Sequence, residues 1–89
     1  MKYNSRSFLN KSSGLAAIEV SVDTSHTYVE ANLAISDCNK TVNIDLSSSN
    51  KVSFKAKLDK LGKLINELTS LETVLKDLQS SPEFSKYFK

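Results

Sequence analysis

The residue types that most often carry catalysis are scarce, because this chain of 89 residues has one histidine, His26, and one cysteine, Cys38. A histidine acting as a general base needs a nucleophile and an orienting partner within hydrogen-bond reach. Asp23 and Ser25 are close to His26 in sequence, but near neighbours in sequence rarely form the geometry of a triad. A reactive cysteine needs strongly electropositive surroundings, so we expect Cys38 to be an inert surface thiol. We therefore predict that the chain is not an enzyme.

The chain also has no recognisable motif for binding a metal ion or a cofactor. The ten carboxylates are scattered singly, with no spacing that suggests shared acid–base work or a calcium loop. One cysteine and one histidine cannot supply the ligand sets of common zinc sites. The two glycines, Gly14 and Gly62, do not form a phosphate-binding loop. We expect no metal, no cofactor and no small-molecule substrate.

A lysine-rich segment over residues 51–63 is the most concentrated charge in a chain whose net charge is only +2. Its lysines are Lys51, Lys55, Lys57, Lys60 and Lys63. Lysines beside an exposed sheet edge prevent edge-to-edge pairing, which is a sufficient structural reason for them. The functional alternative is an anionic partner, although nucleic-acid binders usually add arginine forks and stacking aromatic residues. Weak binding of nucleic acid through these lysines is our alternative function.

Alternation of apolar and polar residues predicts strands in the first half of the chain. Three segments alternate with a period of two, namely residues 16–23, 28–35 and 41–46. The connections between them are too short for a parallel crossover, so we expect antiparallel hairpins. Residues 1–13 are polar and basic, and we leave them open as a flexible segment or an edge strand. The sequence therefore predicts an antiparallel meander of three to four strands.

Residues 51–57 fit two structures. Val52, Phe54 and Ala56 alternate with polar residues, which is typical of a fourth strand. The same residues also precede the helix described next and are compatible with its first turns. Lysines at a helix N-terminus oppose the macrodipole at a cost of a few tenths of a kcal/mol each, and this argument favours the strand.

A change of period at Leu58 predicts an amphipathic helix of about five turns that ends near Gln79. Its leucines recur at steps of three and four residues, and we expect this stripe to cover the apolar face of the sheet. Ser81 and Pro82 then suit the start of a short C-terminal helix. The stripe is wider than a small sheet requires, so its surplus forms a candidate partner-binding surface. The candidate residues are Leu64, Leu71, Leu78, Phe84, Tyr87 and Phe88.

These elements predict an α+β fold: an antiparallel β-meander of three to four strands packed on one long amphipathic helix, with a short C-terminal helix. We expect residues 14–89 to form a single domain that follows the segment 1–13. No signal peptide or membrane-spanning stretch is visible, and a free cysteine suits a reducing compartment, so we expect a cytoplasmic protein.

No sequence motif identifies a family. The lysine-rich start of the helical region, residues 50–57, resembles the end of a double-stranded-RNA-binding domain, but the first helix of that domain has no counterpart in this chain. In size and composition the chain is similar to small proteins encoded by bacteriophages, some of which inhibit host defence systems. This similarity implies a small protein-interaction module, including an inhibitor of a host defence protein. We expect it to bind a protein partner or to self-associate.

Overall fold

A four-stranded antiparallel sheet, one long α-helix and a short 3₁₀ turn make up the computed structural model, which describes residues 1–10 and 16–87. The elements are β1 (Lys2–Phe8), β2 (Ala16–Thr24), β3 (Val29–Asp37), β4 (Lys40–Asp45), α1 (Lys51–Gln79) and the 3₁₀ turn η1 (Phe84–Tyr87). The strands lie in the sheet in the order β1-β2-β3-β4. The predicted α+β class, with an antiparallel meander and a long helix, is confirmed.

The chain divides into two compact units, Met1–Leu58 and Asp59–Lys89. The first contains the sheet and the first turns of α1, and the second contains the rest of α1 together with η1. The prediction that the leucine stripe covers the sheet concerns both units and stays a prediction.

The register of the sheet separates an apolar face from a polar one, as the period of two predicts. Across the middle of the sheet, Val20 pairs with Ser5 on one side and with Leu33 on the other. Leu33 in turn pairs with Ile44 of β4, so these side chains lie on the same face. Leu33 is buried at the centre of that face.

The core is thin. Among the described residues, the buried apolar side chains are those of Ala16, Ala17 and Leu33. The branched residues around Leu33 are mostly half-buried, and Val42 remains 59% exposed. Fully burying a large apolar side chain contributes roughly 1.5–3 kcal/mol, and most side chains here contribute only part of that. Ladder hydrogen bonds and cross-strand pairs therefore provide much of the stability of the sheet.

The N-terminal segment forms the edge strand β1 over Lys2–Phe8, and every residue of β1 pairs with β2. Arg6 and Glu19 are direct cross-strand partners, with 3.0 Å between Arg6 Nε and Glu19 Oε1. The Arg6 guanidinium also lies 5.2 Å from the centre of the Phe8 ring. Both members of the ion pair are more than half exposed, so its contribution is modest. A polar, basic strand of this kind discourages further pairing at the edge.

The serine-rich segment that follows β4 is held against β3 by hydrogen bonds. Ser48 exchanges two backbone hydrogen bonds with Val29, each 2.8 Å long, and its side chain is buried. Ser47 uses its side chain instead, because its Oγ accepts a hydrogen bond from the Ala31 N–H at 3.0 Å. A composition typical of a linker therefore forms an ordered continuation of the sheet, which carries the chain to the start of α1.

The helix begins at Lys51, so the interpretation of residues 51–57 as a fourth strand is wrong. Asn50 caps the helix, since its Oδ1 accepts a hydrogen bond from the Ser53 N–H at 2.8 Å. In return, the Asn50 N–H donates a hydrogen bond to the Ser53 Oγ, with 3.4 Å between nitrogen and oxygen. The cap is therefore reciprocal. An N-cap contributes about 1 kcal/mol, whereas each unfavourable lysine costs only a few tenths. The cap therefore outweighs the charge argument that favoured the strand.

The C-terminal end of α1 at Gln79 matches the predicted position. Ser81 has the predicted capping role, because its Oγ accepts a hydrogen bond from the Glu83 N–H at 3.2 Å. The element that follows is a single 3₁₀ turn, η1, and not an α-helix. Phe88 lies outside the described residues.

We predict that Asn50→Ala lowers the free energy of unfolding by about 1 kcal/mol, because the Ser53 N–H loses its acceptor. Asn50→Asp is the matched control and retains the acceptor oxygen. Urea titration followed by far-UV circular dichroism measures the effect. An alanine variant as stable as the unchanged chain would contradict the assigned cap.

The β3–β4 hairpin has a two-residue loop in which Cys38 adopts a φ of 56°. Non-glycine residues pay roughly 1–2 kcal/mol in this left-handed region. We therefore predict that Cys38→Gly stabilises the chain by up to about 1 kcal/mol, while Cys38→Val destabilises it. Denaturant titration of both variants distinguishes backbone strain from loss of the thiol, because both variants lack sulfur. Equal stability of the two variants would contradict the prediction.

Candidate functional site

The apolar stripe of α1 is exposed along much of its length. No residue of α1 is buried. Its large apolar side chains that are more than 40% exposed, apart from Val52 and Phe54 in the first turn, are Leu58, Ile65, Leu68, Leu71, Val74, Leu75 and Leu78. Scattered exposed apolar residues are ordinary, but a contiguous row at helical spacing is typical of an interaction surface.

A groove forms where η1 lies beside the C-terminal half of α1 within the second unit. It has a volume of about 530 Å³. The apolar residues that line it are Leu68, Leu71, Leu75, Leu78 and Phe84, and the polar ones are Glu72, Lys76 and Gln79. Phe84 is half-buried. We call this the α1 groove.

The groove brings together three of the six predicted partner-binding residues, Leu71, Leu78 and Phe84. Leu64 is half-buried on α1 and does not line it. Tyr87 is 57% exposed, and its hydroxyl lies 3.4 Å from Glu83 Oε2, to which it donates a hydrogen bond. The sixth residue, Phe88, lies outside the described part of the chain.

Leu68 and Leu75 line the groove although they were not among the predicted binding residues. Both belong to the stripe that the spacing of leucines identifies. The steps of three and four residues around them were the available signal, because side chains at this spacing share one helix face.

The polar groups of the α1 groove form a local ion pair. Lys76 Nζ lies 3.6 Å from Glu72 Oε1, one helical turn away. Both side chains are more than 60% exposed, so the pair stays hydrated and adds little stability. The groove therefore has an apolar floor with a balanced charge pair beside it, which suits a protein segment better than a strongly charged ligand.

The five lysines of the alternative function all lie on α1, but they do not share one face. At about 100° per residue, Lys51 and Lys55 lie within about 40° of each other around the helix axis. Lys60 and Lys63 lie on the opposite side, about 120–180° from Lys51. Lys57 Nζ is 3.5 Å from the Asp45 carbonyl oxygen, to which it donates a hydrogen bond. The structure therefore distributes these charges around the helix.

His26 and Cys38 are far apart in the sheet. His26 lies in the β2–β3 loop and Cys38 in the β3–β4 loop, so the nine residues of β3 separate them. A strand of that length spans about 30 Å, and the two side chains cannot act on one substrate. Both residues are exposed.

The polar face of the sheet carries a shallow depression of about 640 Å³. Its lining includes Asn4, Arg6, Glu19, Asn32 and Asn43. The one cation among its lining residues is Arg6, which is paired with Glu19. Sequence reasoning missed this surface because it left the N-terminal segment without a defined partner strand.

Within residues 1–10 and 16–87, no three histidine, cysteine or acidic side chains group together in a way that could hold a metal ion. None of the helices in that part of the chain is both long and apolar enough to cross a membrane. No protein-family model matches the chain, and no curated protein or solved structure is significantly similar to it. A function is therefore inferred from the residues of this chain alone.

The positions of the lysines around α1 limit how strongly any binding of nucleic acid can depend on salt. Because at most three of the five lysines, Lys57, Lys60 and Lys63, share one helix side, log K for a DNA duplex should fall with log salt at a slope no steeper than about −3. Fluorescence anisotropy between low and moderate salt measures the slope for the full chain. The paired variants Lys51→Gln/Lys55→Gln and Lys60→Gln/Lys63→Gln show which side contributes. A slope of −4 or steeper, by the rule of about 0.9 per phosphate, would contradict the arrangement.

Proposed function

We propose that this chain is a small non-enzymatic protein-interaction domain that binds an apolar, helical stretch of protein in the α1 groove. The observation that carries this proposal is the set of four exposed leucines that line the groove together with Phe84. The leucines are Leu68, Leu71, Leu75 and Leu78, and their exposed fractions lie between 42% and 56%.

Burial of the exposed leucines is the main favourable contribution that this surface can make to association. Covering a leucine that is about half exposed returns on the order of 1 kcal/mol, which is half of the usual value for complete burial. Four such leucines and a neighbouring aromatic residue form an apolar surface of the kind that takes part in helix-in-groove binding. The thin core is a second reason, because small domains often supplement a limited core by association.

The shape of the surface favours a helix as the bound element. Leucines at steps of three and four residues form a straight row along α1, and an amphipathic helix can lay its own apolar face along such a row. The Glu72–Lys76 pair beside the row is balanced in charge and can exchange hydrogen bonds with the polar edge of a partner helix.

The finer form of this hypothesis is an inhibitor of a host defence protein, as the similarity to small bacteriophage proteins implies. Such an inhibitor acts by occupying a surface of its target, and it needs no catalytic group. A cytoplasmic location belongs to the same hypothesis.

We expect Leu71→Glu/Leu75→Glu to abolish partner binding, because two carboxylates would be buried in the apolar floor of the groove. The matched control is Ser70→Glu/Thr73→Glu, which adds the same charges to exposed positions outside the groove. Tagged full-length chain is co-expressed with an untagged copy in its host, and captured proteins are quantified after nuclease treatment. The leucine variant should lose a specific partner, which includes the untagged copy, at least about tenfold. A partner captured equally by both variants would contradict the proposed surface.

A further inference from the structure

The leucines of the α1 stripe from Leu61 to Leu78 follow a heptad repeat; the last four are exposed, and Leu61 and Leu64 are half-buried. Successive steps of three, four, three, four and three residues connect Leu61, Leu64, Leu68, Leu71, Leu75 and Leu78. This alternation is the a/d pattern of a coiled coil, with a positions at 61, 68 and 75 and d positions at 64, 71 and 78. All six residues lie on one uninterrupted helix. The repeat covers two and a half heptads, or about 27 Å of helix.

We propose that the occupant of the α1 groove is α1 of a second copy of this chain, packed antiparallel. This inference rests on the proposed function and identifies its partner. It follows from the charges at the e and g positions, which flank a coiled-coil seam and select orientation.

A parallel pair is disfavoured on two grounds. In a parallel coiled coil, a g residue faces the e residue five positions later in the other helix. Glu67 at g would then face Glu72 at e twice in every dimer, and like charges in such contacts are unfavourable. Parallel dimers also favour β-branched residues at a, whereas every a position from 61 to 75 is leucine.

An antiparallel pair removes the conflict and matches every leucine. With Leu61 of one copy opposite Leu78 of the other, Leu64 meets Leu75 and Leu68 meets Leu71. All six leucines of each copy then have leucine partners. At the flanks, g faces g and e faces e.

The flanking residues in this register are complementary. Glu67 lies opposite Val74, and Ile65 lies opposite Glu72. Each glutamate therefore extends its methylene groups over a branched apolar side chain while its carboxylate stays in water. Ile65 and Val74 are 52% and 60% exposed in the single chain, so the pairing covers them as well.

Shifting the antiparallel pair by one heptad is worse in either direction. One shift places Glu72 opposite Glu72, and the other places Glu67 opposite Glu67. Each shift also leaves two leucines of every copy without a leucine partner. The charge pattern therefore selects one orientation and one register.

The first experiment measures mass. We expect sedimentation or light scattering of the full chain, between ~5 and ~500 μM, to show a rise from 9.9 kDa towards twice that value. Leu68→Glu, at the centre of the seam, should keep the chain monomeric at concentrations at which the unchanged chain is dimeric. Asn66→Glu introduces the same side chain at the outward f position and should dimerise normally. Circular dichroism confirms that both variants retain the helix.

The second experiment measures orientation and does not depend on a disruptive variant. A nitroxide label is placed at residue 59, on the outer side of α1, in the variant Cys38→Ser/Asp59→Cys. In the antiparallel register, residue 59 lies level with residue 80 of the second copy, so the two residues 59 of the dimer lie about 32 Å apart along the axis. The distance between labels should therefore exceed about 30 Å, whereas a parallel pair brings them within about 25 Å.

The possible outcomes separate the two proposals. A dimer that Leu68→Glu disrupts and that shows the long distance supports the antiparallel seam. A short distance, or a dimer that Leu68→Glu leaves intact, overturns it. A chain that is monomeric at ~500 μM also overturns it. The proposed function survives that last result if a different protein is captured by the unchanged chain and lost from Leu71→Glu/Leu75→Glu.

Discussion

Limited burial of apolar side chains is the constraint on which the other features depend. Only three apolar residues are buried in the part of the chain that the structure describes, and two of them are alanines. The sheet must therefore rely on complete hydrogen-bond ladders, on cross-strand pairs and on polar side chains that substitute for missing backbone partners. The leucines of α1 also remain largely exposed, so covering them would provide more hydrophobic stabilisation than covering any other group of described residues. The interaction surface that we propose therefore lies on that helix and not in the loops that carry His26 and Cys38.

Short polar residues determine how the chain passes from sheet to helix. Ser47 and Ser48 extend the pairing of β3 beyond the end of β4, and Asn50 and Ser53 cap each other at the start of α1. None of these residues adds to an apolar core. Each satisfies backbone groups that would otherwise lack partners at the end of a strand or a helix. The junction therefore gives a segment of linker-like composition a defined structure.

Much of the fold could be predicted because the apolar pattern has a clear period. The alternation in β2, β3 and β4 and the leucine steps up to Gln79 depend only on which residues share a face. The start of α1 was harder, since alternation at Val52, Phe54 and Ala56 competes with a cap whose value appears only in its hydrogen bonds. Spacing also identified Leu71 and Leu78 as candidate binding residues, but it could not show that the chain turns back at η1 to place Phe84 beside them. The lysines are close in sequence but lie on more than one side of α1, because successive positions on a helix are distributed around its axis.

The order of the strands affects how fast the sheet can fold. Every strand pairs with its neighbour in the chain, so each hairpin closes only a short loop and no distant segment must be found first. Such low contact order is associated with rapid folding among sheet proteins, and hairpins can add one after another in microseconds to milliseconds. During synthesis, residues 2–45 can complete the meander before the leucines of α1 leave the ribosome. The segment with the most exposed apolar side chains would then emerge after the inner strands of the sheet have already paired.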